Sequence, residues 1–138
     1  MELQKLKLSV PKILGSPSAP KVFQNNSSVI DKLEQANLVL VPQLYFSETA
    51  NALWKYVSHN QLSAEQAIER YQDVCALPDQ AISDQTLALE ALSLACINNH
   101  PVYDMIYAVL ARRNACGVLS RDNRLAGLLE SLGVPAAP

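Results

Sequence analysis

The segment at residues 100–125, HPVYDMIYAVLARRNACGVLSRDNRL, constrains the fold of this 138-residue chain most. Its apolar residues predict a buried helix from Pro101 to about Asn114, and the run CGVLS then predicts a buried strand. Asp104 lies at the start of that helix, and Asp122 lies just past the strand. The segment therefore predicts a helix that leads directly into a strand, with a carboxylate near one end of each.

The rest of the chain also alternates between predicted strands and helices. Strands are predicted at residues 3–10 and 37–42, and helices at residues 26–35, 47–57, 63–77, 83–99 and 123–133. Ser63 and Gln66 have the spacing of a capping box, and Gly133 is suited to end the last helix. This order of elements predicts an α/β domain with a parallel sheet.

Composition predicts one soluble, cytoplasmic domain. A chain of this size that is 49% hydrophobic can bury about two-thirds of its unfolded surface in a single core. Its apolar runs fall far short of the ~20 residues that a membrane span requires, and the lysine-bearing N-terminus lacks the apolar centre of a signal peptide.

The cysteines and histidines do not have the spacing of metal ligands. Cys75, Cys96 and Cys116 lie about twenty residues apart in apolar sequence, which predicts buried free thiols. His59 and His100 each follow a predicted helix, so we expect each to cap that helix or to face solvent.

The net charge of −2 argues against binding of nucleic acid through overall charge alone. The charge is unevenly distributed, however. Residues 1–25 hold four lysines and one glutamate, and residues 112–124 hold four arginines and one aspartate, whereas residues 65–90 are strongly acidic. Two interpretations are open: solvated helix faces, or a basic rim able to meet phosphate.

Several polar residues are predicted to gather at one edge of the sheet. In open parallel sheets, sites form outside the C-terminal ends of the strands. Ser9, Asp122 and the start of the helix that carries Glu48 are expected at that edge. Asp104 begins a helix that could join them. Each acid also has a structural explanation. Glu48 and Asp104 would favour the positive ends of their helices, and Asp122 would serve as an N-cap.

Two stretches, VPQLYFSETANALWKY at residues 41–56 and VYDMIYAVLARRNACGVLSRDNRL at residues 102–125, resemble the PIN-domain ribonucleases, in particular the VapC-type toxins of prokaryotic toxin–antitoxin pairs. The most specific matches are Glu48-x-x-Asn51-x-Leu53, Tyr103-Asp104 with Tyr107-Ala108, and Ser120-x-Asp122 with Leu125. The resemblance covers nearly the whole chain. It implies a PIN-like three-layer α/β/α domain with a central parallel sheet over residues 1–134, followed by a short tail at residues 135–138.

The same resemblance implies an activity and a set of site residues. Glu48, Asp104 and Asp122 would be the catalytic acids that hold Mg²⁺ or Mn²⁺ for the cleavage of RNA, and Asn51 and Ser120 would support them. Such acids suit Mg²⁺, which takes oxygen ligands and keeps several waters. The implied partners are RNA, a small antitoxin protein and a second copy of the chain.

The first predicted strand departs from the family pattern. PIN nucleases normally carry an aspartate at the end of this strand, in an Asp-x-Ser or Asp-x-Asn setting, where this chain has Lys7-Leu8-Ser9. An ammonium ~4 Å from a carboxylate gains roughly 4 kcal/mol at an effective dielectric near 20, about as much as a cation bound at millimolar affinity. Lys7 is therefore predicted to take the place of the cation. The alternatives are a ribonuclease that works with three acids, a catalytically inactive PIN-like module that binds nucleic acid or regulates, and an unrelated α/β role.

Overall fold

The computed structural model describes residues 38–118 and 123–134. The elements in that part are β1 (Leu40–Pro42), α1 (Leu44–Ser58), α2 (Ala64–Cys75), β2 (Gln80–Ile82), α3 (Asp84–Asn98), α4 (Val102–Arg113) and α5 (Asn123–Ser131). The predicted strand at residues 3–10, the predicted helix at residues 26–35 and the last two residues of the predicted strand at residues 116–120 lie outside the described residues. No helix in the described ranges is long and apolar enough to cross a membrane.

The two described strands pair in parallel, which agrees with the predicted α/β class. Leu40 pairs with Gln80 and Pro42 with Ile82, and the Gln43 N–H continues the ladder by donating to the Ile82 carbonyl at 2.9 Å. β1 is fully buried, as its β-branched apolar sequence predicts. β2 is missing from the sequence-based prediction because it has only three residues, of which two are exposed.

The core is built around α4, which packs against α3 and β1. Every residue from Met105 to Ala111 is buried, so this helix has no solvent face over nearly two turns. The largest fully buried side chains in the described residues are Tyr45, Tyr107, Leu87, Met105, Leu110, Leu125 and Val41. The Tyr45 hydroxyl is satisfied by the Val74 carbonyl at 2.9 Å, which ties α1 to the end of α2.

Helix boundaries follow local sequence where capping is local. The Ser63 hydroxyl accepts from the Gln66 N–H at 3.1 Å, and the Gln66 side chain accepts from the Ser63 N–H at 2.9 Å, which confirms the capping box of α2. Gly133, with φ +76°, follows α5, and the Val134 N–H reaches back to the Leu129 carbonyl. That bond is typical of a helix ended by a left-handed residue.

Three local predictions are wrong. α1 begins at Leu44, so Glu48 lies beyond the first turn and does not occupy the positive end of the helix. Cys96 is exposed, in contrast to the buried Cys116, because the face of α3 that carries it is not covered by the described residues. His100 does not face solvent, because its ring is only 12% exposed and contacts Asp104.

Candidate active site

The part of the candidate site that carries Glu48 lies on α1, which begins where β1 ends. Both strands run in the same direction, so α1 and α3, which follow them immediately, begin at the same edge of the sheet. The two helix starts are joined directly, since the Leu44 N–H donates to Asp84 Oδ1 at 3.1 Å. This is the edge at which parallel sheets usually place ligands.

Glu48 is held from α4 by a buried tyrosine. The Tyr107 hydroxyl donates to Glu48 Oε1 at 2.7 Å, although the two residues are 59 positions apart. Tyr107 is 1% exposed, and its burial, followed by the nearby negative charge of Glu48, raises the pKa of the phenol far above its usual value of 10.0. Tyr107 therefore remains a neutral hydrogen-bond donor and fixes the half-buried Glu48 carboxylate against α4.

Asp104 is buried in the first turn of α4 and is bonded to a histidine. His100 Nε2 donates to Asp104 Oδ2 at 2.6 Å, and the two side chains are only 12% and 10% exposed. A carboxylate so far removed from water is costly unless hydrogen bonds satisfy it. This contact gives Asp104 one such bond and fixes one of its oxygens.

Asp104 and the tyrosine that binds Glu48 lie on the same face of α4. Tyr107 follows Asp104 by three residues, and residues at this spacing are neighbours on a helix surface, with Cβ atoms about 5–6 Å apart. Glu48 accepts the hydrogen bond from Tyr107. Asn51 lies one turn after Glu48 on α1 and is exposed. The described structure thus places Glu48 against the face of α4 that also carries Asp104.

The other predicted site residues lie outside the described residues: Lys7, Ser9, Ser120 and Asp122. Within residues 38–118 and 123–134, no group of three or more His, Cys, Asp or Glu side chains is arranged to hold a metal ion. The donor set nevertheless suits a hard cation, because Mg²⁺ is commonly bound by one or two carboxylates together with water and substrate phosphate. Glu48 and Asp104 are the described residues that would hold it.

Sequence reasoning missed the two donors, although each carries a detectable signal. His100 precedes Asp104 by four residues, just before the helix, so its ring can fold over the first turn. Tyr107 follows Asp104 at helical spacing, within a run that must be buried, and a buried phenol requires an acceptor. The spacing indicates the face of the helix that each donor occupies, but the acceptor becomes known only from the fold.

The basic residues at the end of α4 are engaged with α3. Glu90 accepts from Arg112 and Arg113, with Oε2 lying 3.0 Å from Arg113 Nε, and Arg113 also donates to the Thr86 carbonyl. The Arg112 hydrogen bond is the main reason that the pKa of Glu90 lies below its usual value. This part of the predicted basic rim is therefore partly compensated by acidic charge.

Comparison with known proteins identifies the family and the fold. The family model of the PIN domain matches residues 24–128. A crystal structure of PAE2754 from Pyrobaculum aerophilum superposes with a TM-score of 0.68 at 19% sequence identity, covering 94% of this chain and 89% of that one, which indicates a shared fold. A search of curated proteins gives no match. The matched region contains both described carboxylates, and the chain belongs to the PIN-domain family, which is generally associated with nuclease activity.

Proposed function

We propose that this protein is a Mg²⁺- or Mn²⁺-dependent ribonuclease of the VapC-like toxin–antitoxin type whose acidic site is degenerate. The observation that carries the proposal is the separate anchoring of Glu48 and Asp104, by Tyr107 and His100, on one side of α4. Withdrawing a carboxylate from water costs folding free energy, so two carboxylates that are sheltered and oriented by donors are candidates for a functional role.

In the proposed mechanism, Glu48, Asp104 and Asp122 would hold the cation. A bound ion would supply an activated water and neutralise charge on the phosphodiester. Tyr107 keeps the Glu48 carboxylate in place and stays protonated at neutral pH, because its pKa is raised. Asn51, Ser9 and Ser120 are proposed as supporting polar residues, and the exposure of Asn51 leaves it accessible to an RNA strand.

Lys7 makes the proposed site weak. A site that lacks one carboxylate ligand and contains a lysine ammonium has less negative charge to attract Mg²⁺ or Mn²⁺. We therefore expect weaker metal binding than at a site with four carboxylates. The same ammonium would stabilise the acids without metal, because it compensates their mutual repulsion. Lys7 would then allow the acidic cluster to persist whether or not catalysis survives.

The direct test is a calorimetric titration with Mn²⁺ together with an RNA-cleavage assay on the native chain and on Lys7→Asp. We expect Lys7→Asp to bind Mn²⁺ more tightly, to cleave RNA faster and to unfold more easily without metal. Lys21→Asp makes the same change of charge and should alter none of these. If Lys7→Asp changes neither metal affinity nor stability, Lys7 is an ordinary surface lysine and this account of the site is wrong.

The second candidate function is a catalytically inactive PIN-like module that binds nucleic acid or regulates a partner. The lysine in place of the first-strand aspartate favours it, since fold alone does not confer activity. Binding of RNA by the native chain in EDTA, with no cleavage by either the native chain or Lys7→Asp in Mn²⁺, would support this function over the nuclease.

A second copy of the chain and a small antitoxin are the proposed protein partners. The support for a homodimer is an apolar face on α3, where Leu89 is 83%, Leu92 51% and Ile97 75% exposed. Uncovered apolar residues on one helix face are typical of an interface. Sedimentation velocity should show a dimer that Leu89→Lys disrupts and that Gln85→Lys, at an exposed polar position of the same helix, leaves intact. A native monomer would rule out this assembly.

A further inference from the structure

The turn between α3 and α4 gives His100 a fixed position. α3 ends at Asn98, and Asn99 adopts the left-handed conformation, with φ 48° and ψ 52°. The His100 N–H then donates back to the Ala95 carbonyl at 3.2 Å. Pro101 follows with φ −55° and ψ 140° and precedes the first residue of α4. Both neighbours of His100 are therefore held in defined backbone conformations.

This turn brings the His100 ring over the first turn of α4. Nε2 reaches Asp104 Oδ2 at 2.6 Å, within the range of a strong, charge-assisted hydrogen bond. Both side chains are about nine-tenths removed from solvent, so water competes weakly for this bond. Since Nε2 must carry a proton to donate, the contact also selects the protonated form of that nitrogen.

We propose that His100 is a positioning residue for the metal site: its hydrogen bond fixes the orientation of the Asp104 carboxylate for cation binding. The inference rests on the proposed function, because it takes Asp104 as a metal ligand. Carboxylate ligands are generally hydrogen-bonded in this way, and loss of such an outer partner typically costs 10–100-fold in metal affinity or activity. A carboxylate freed from this bond would have to be ordered when the cation binds, which weakens binding.

A purely structural role is the competing explanation. His100 would then only tie the turn to α4, and its loss would lower stability without changing metal affinity. A second competing explanation predicts the opposite change in metal affinity. If the Nε2–H competes with the cation for the same oxygen, removal of His100 would strengthen metal binding.

The test uses the full chain and measures Mn²⁺ affinity by calorimetry for His100→Ala and His100→Gln, in the native and the Lys7→Asp backgrounds. We expect His100→Ala to bind about tenfold more weakly. His100→Gln should recover most of that loss, because its amide can donate to the same oxygen. His59→Ala is the matched control: His59 is an exposed histidine at the end of α1 and should bind Mn²⁺ as the parent does.

A double-mutant cycle with Asp104→Asn locates the effect. If His100 acts through Asp104, His100→Ala should cause no further loss of affinity once Asp104 has been replaced. Nitrogen NMR of histidine supplies a second readout, because addition of Mg²⁺ should shift the Nε2 resonance of His100 and leave that of His59 in place.

The outcomes separate the inference from the function on which it rests. Mn²⁺ binding that depends on Asp104 but is unchanged or strengthened in His100→Ala overturns the positioning role and leaves the proposed function standing. Binding that is equal in the parent and in Asp104→Asn, in both backgrounds, overturns the metal site and the positioning role together. A loss in His100→Ala that Gln restores and that vanishes without Asp104 supports both.

Discussion

At the first turn of α4, the Asp104 side chain is 10% exposed and bonded to His100, whereas at the last turn Arg112 and Arg113 are 41% and 44% exposed and share Glu90. The last-turn contacts neutralise charge on the surface, where ion pairs contribute little to stability. The first turn withdraws a carboxylate from water, which is costly. The same helix thus carries exposed ion pairs at one end and a buried, hydrogen-bonded carboxylate at the other, and the proposed metal site would account for the buried one.

The largest expected difference between the two ends is in metal binding. Asp104→Asn should lower Mn²⁺ affinity by more than roughly 100-fold, because loss of a ligand should cost at least as much as loss of its outer partner. Glu90→Gln makes the same chemical change at the other end and should leave the affinity unchanged. Calorimetry on both variants measures the contrast. Equal losses of Mn²⁺ affinity in the two variants would mean that Mn²⁺ binds to diffuse acidic charge. The two ends of α4 would then not differ in metal binding.

The next effect concerns the buried donor of Glu48. Tyr107→Phe leaves a half-buried carboxylate without the hydroxyl that donates to it at 2.7 Å, so the free energy of unfolding should fall by about 1–3 kcal/mol. Tyr103→Phe on the same helix is the control, since Tyr103 is 65% exposed and should change stability by less than ~0.5 kcal/mol. Urea unfolding without metal measures both. Similar midpoints for the two variants would show that water replaces the lost hydroxyl.

A smaller effect is expected at the exposed end. Glu90→Gln should cost less than ~1 kcal/mol at neutral pH and less still at high salt. The pKa of Glu90 is lower in the folded protein than its ordinary value of 4.5, so its carboxylate stabilises the fold above that value. This contribution is lost as the pH falls through the lowered pKa.

Urea midpoints of the native chain and Glu90→Gln should therefore differ at pH 7 and converge toward pH 3. A difference that persists in acid would indicate that Gln disturbs packing, since the charge contribution would already have been lost.

The start of α1 illustrates what local sequence can and cannot specify. The prediction began this helix at residue 47 from the helical spacing of its apolar residues, and Gln43 and Leu44 carry no capping signal that would have extended it. The observed N-cap, Gln43, indeed makes no side-chain cap bond. The first N–H of the helix is satisfied by Asp84, 40 residues away at the start of α3. A cap supplied by a distant helix is invisible to any local pattern.

The candidate site likewise has residues that the sequence identifies and contacts that only the fold reveals. Their expected place at one edge of the sheet and the family resemblance identified Glu48 and Asp104 as candidates, because residue type and order along the chain can be read from the sequence. Sequence reasoning did not identify their donors. Tyr107 on α4 contacts Glu48 on α1, which is distant in sequence. His100 contacts Asp104 because the left-handed Asn99 and the extended Pro101 set the course of the turn between α3 and α4. Tertiary packing decides which acid each donor meets.

The smallest expected effect concerns a threonine beside Glu48. Thr49 is fully buried, and in the described part of the chain its hydroxyl has no hydrogen-bond partner. Valine has nearly the same shape and removes the hydroxyl, so Thr49→Val should relieve a desolvation cost and raise the free energy of unfolding by about 1 kcal/mol or less.

Thr86→Val is the matched control, because the Thr86 hydroxyl donates to the Ser83 carbonyl at 2.8 Å in the first turn of α3. Its replacement removes a bond that is made and should lower stability by a few tenths of a kcal/mol to ~1 kcal/mol. The two substitutions are chemically identical, but Thr49 is buried and Thr86 is exposed, so we expect opposite shifts of the urea midpoint from the combined difference in burial and pairing. If Thr49→Val is instead the more destabilising, its hydroxyl has a role beside Glu48. Mn²⁺ calorimetry on that variant would then show whether the role concerns the cation.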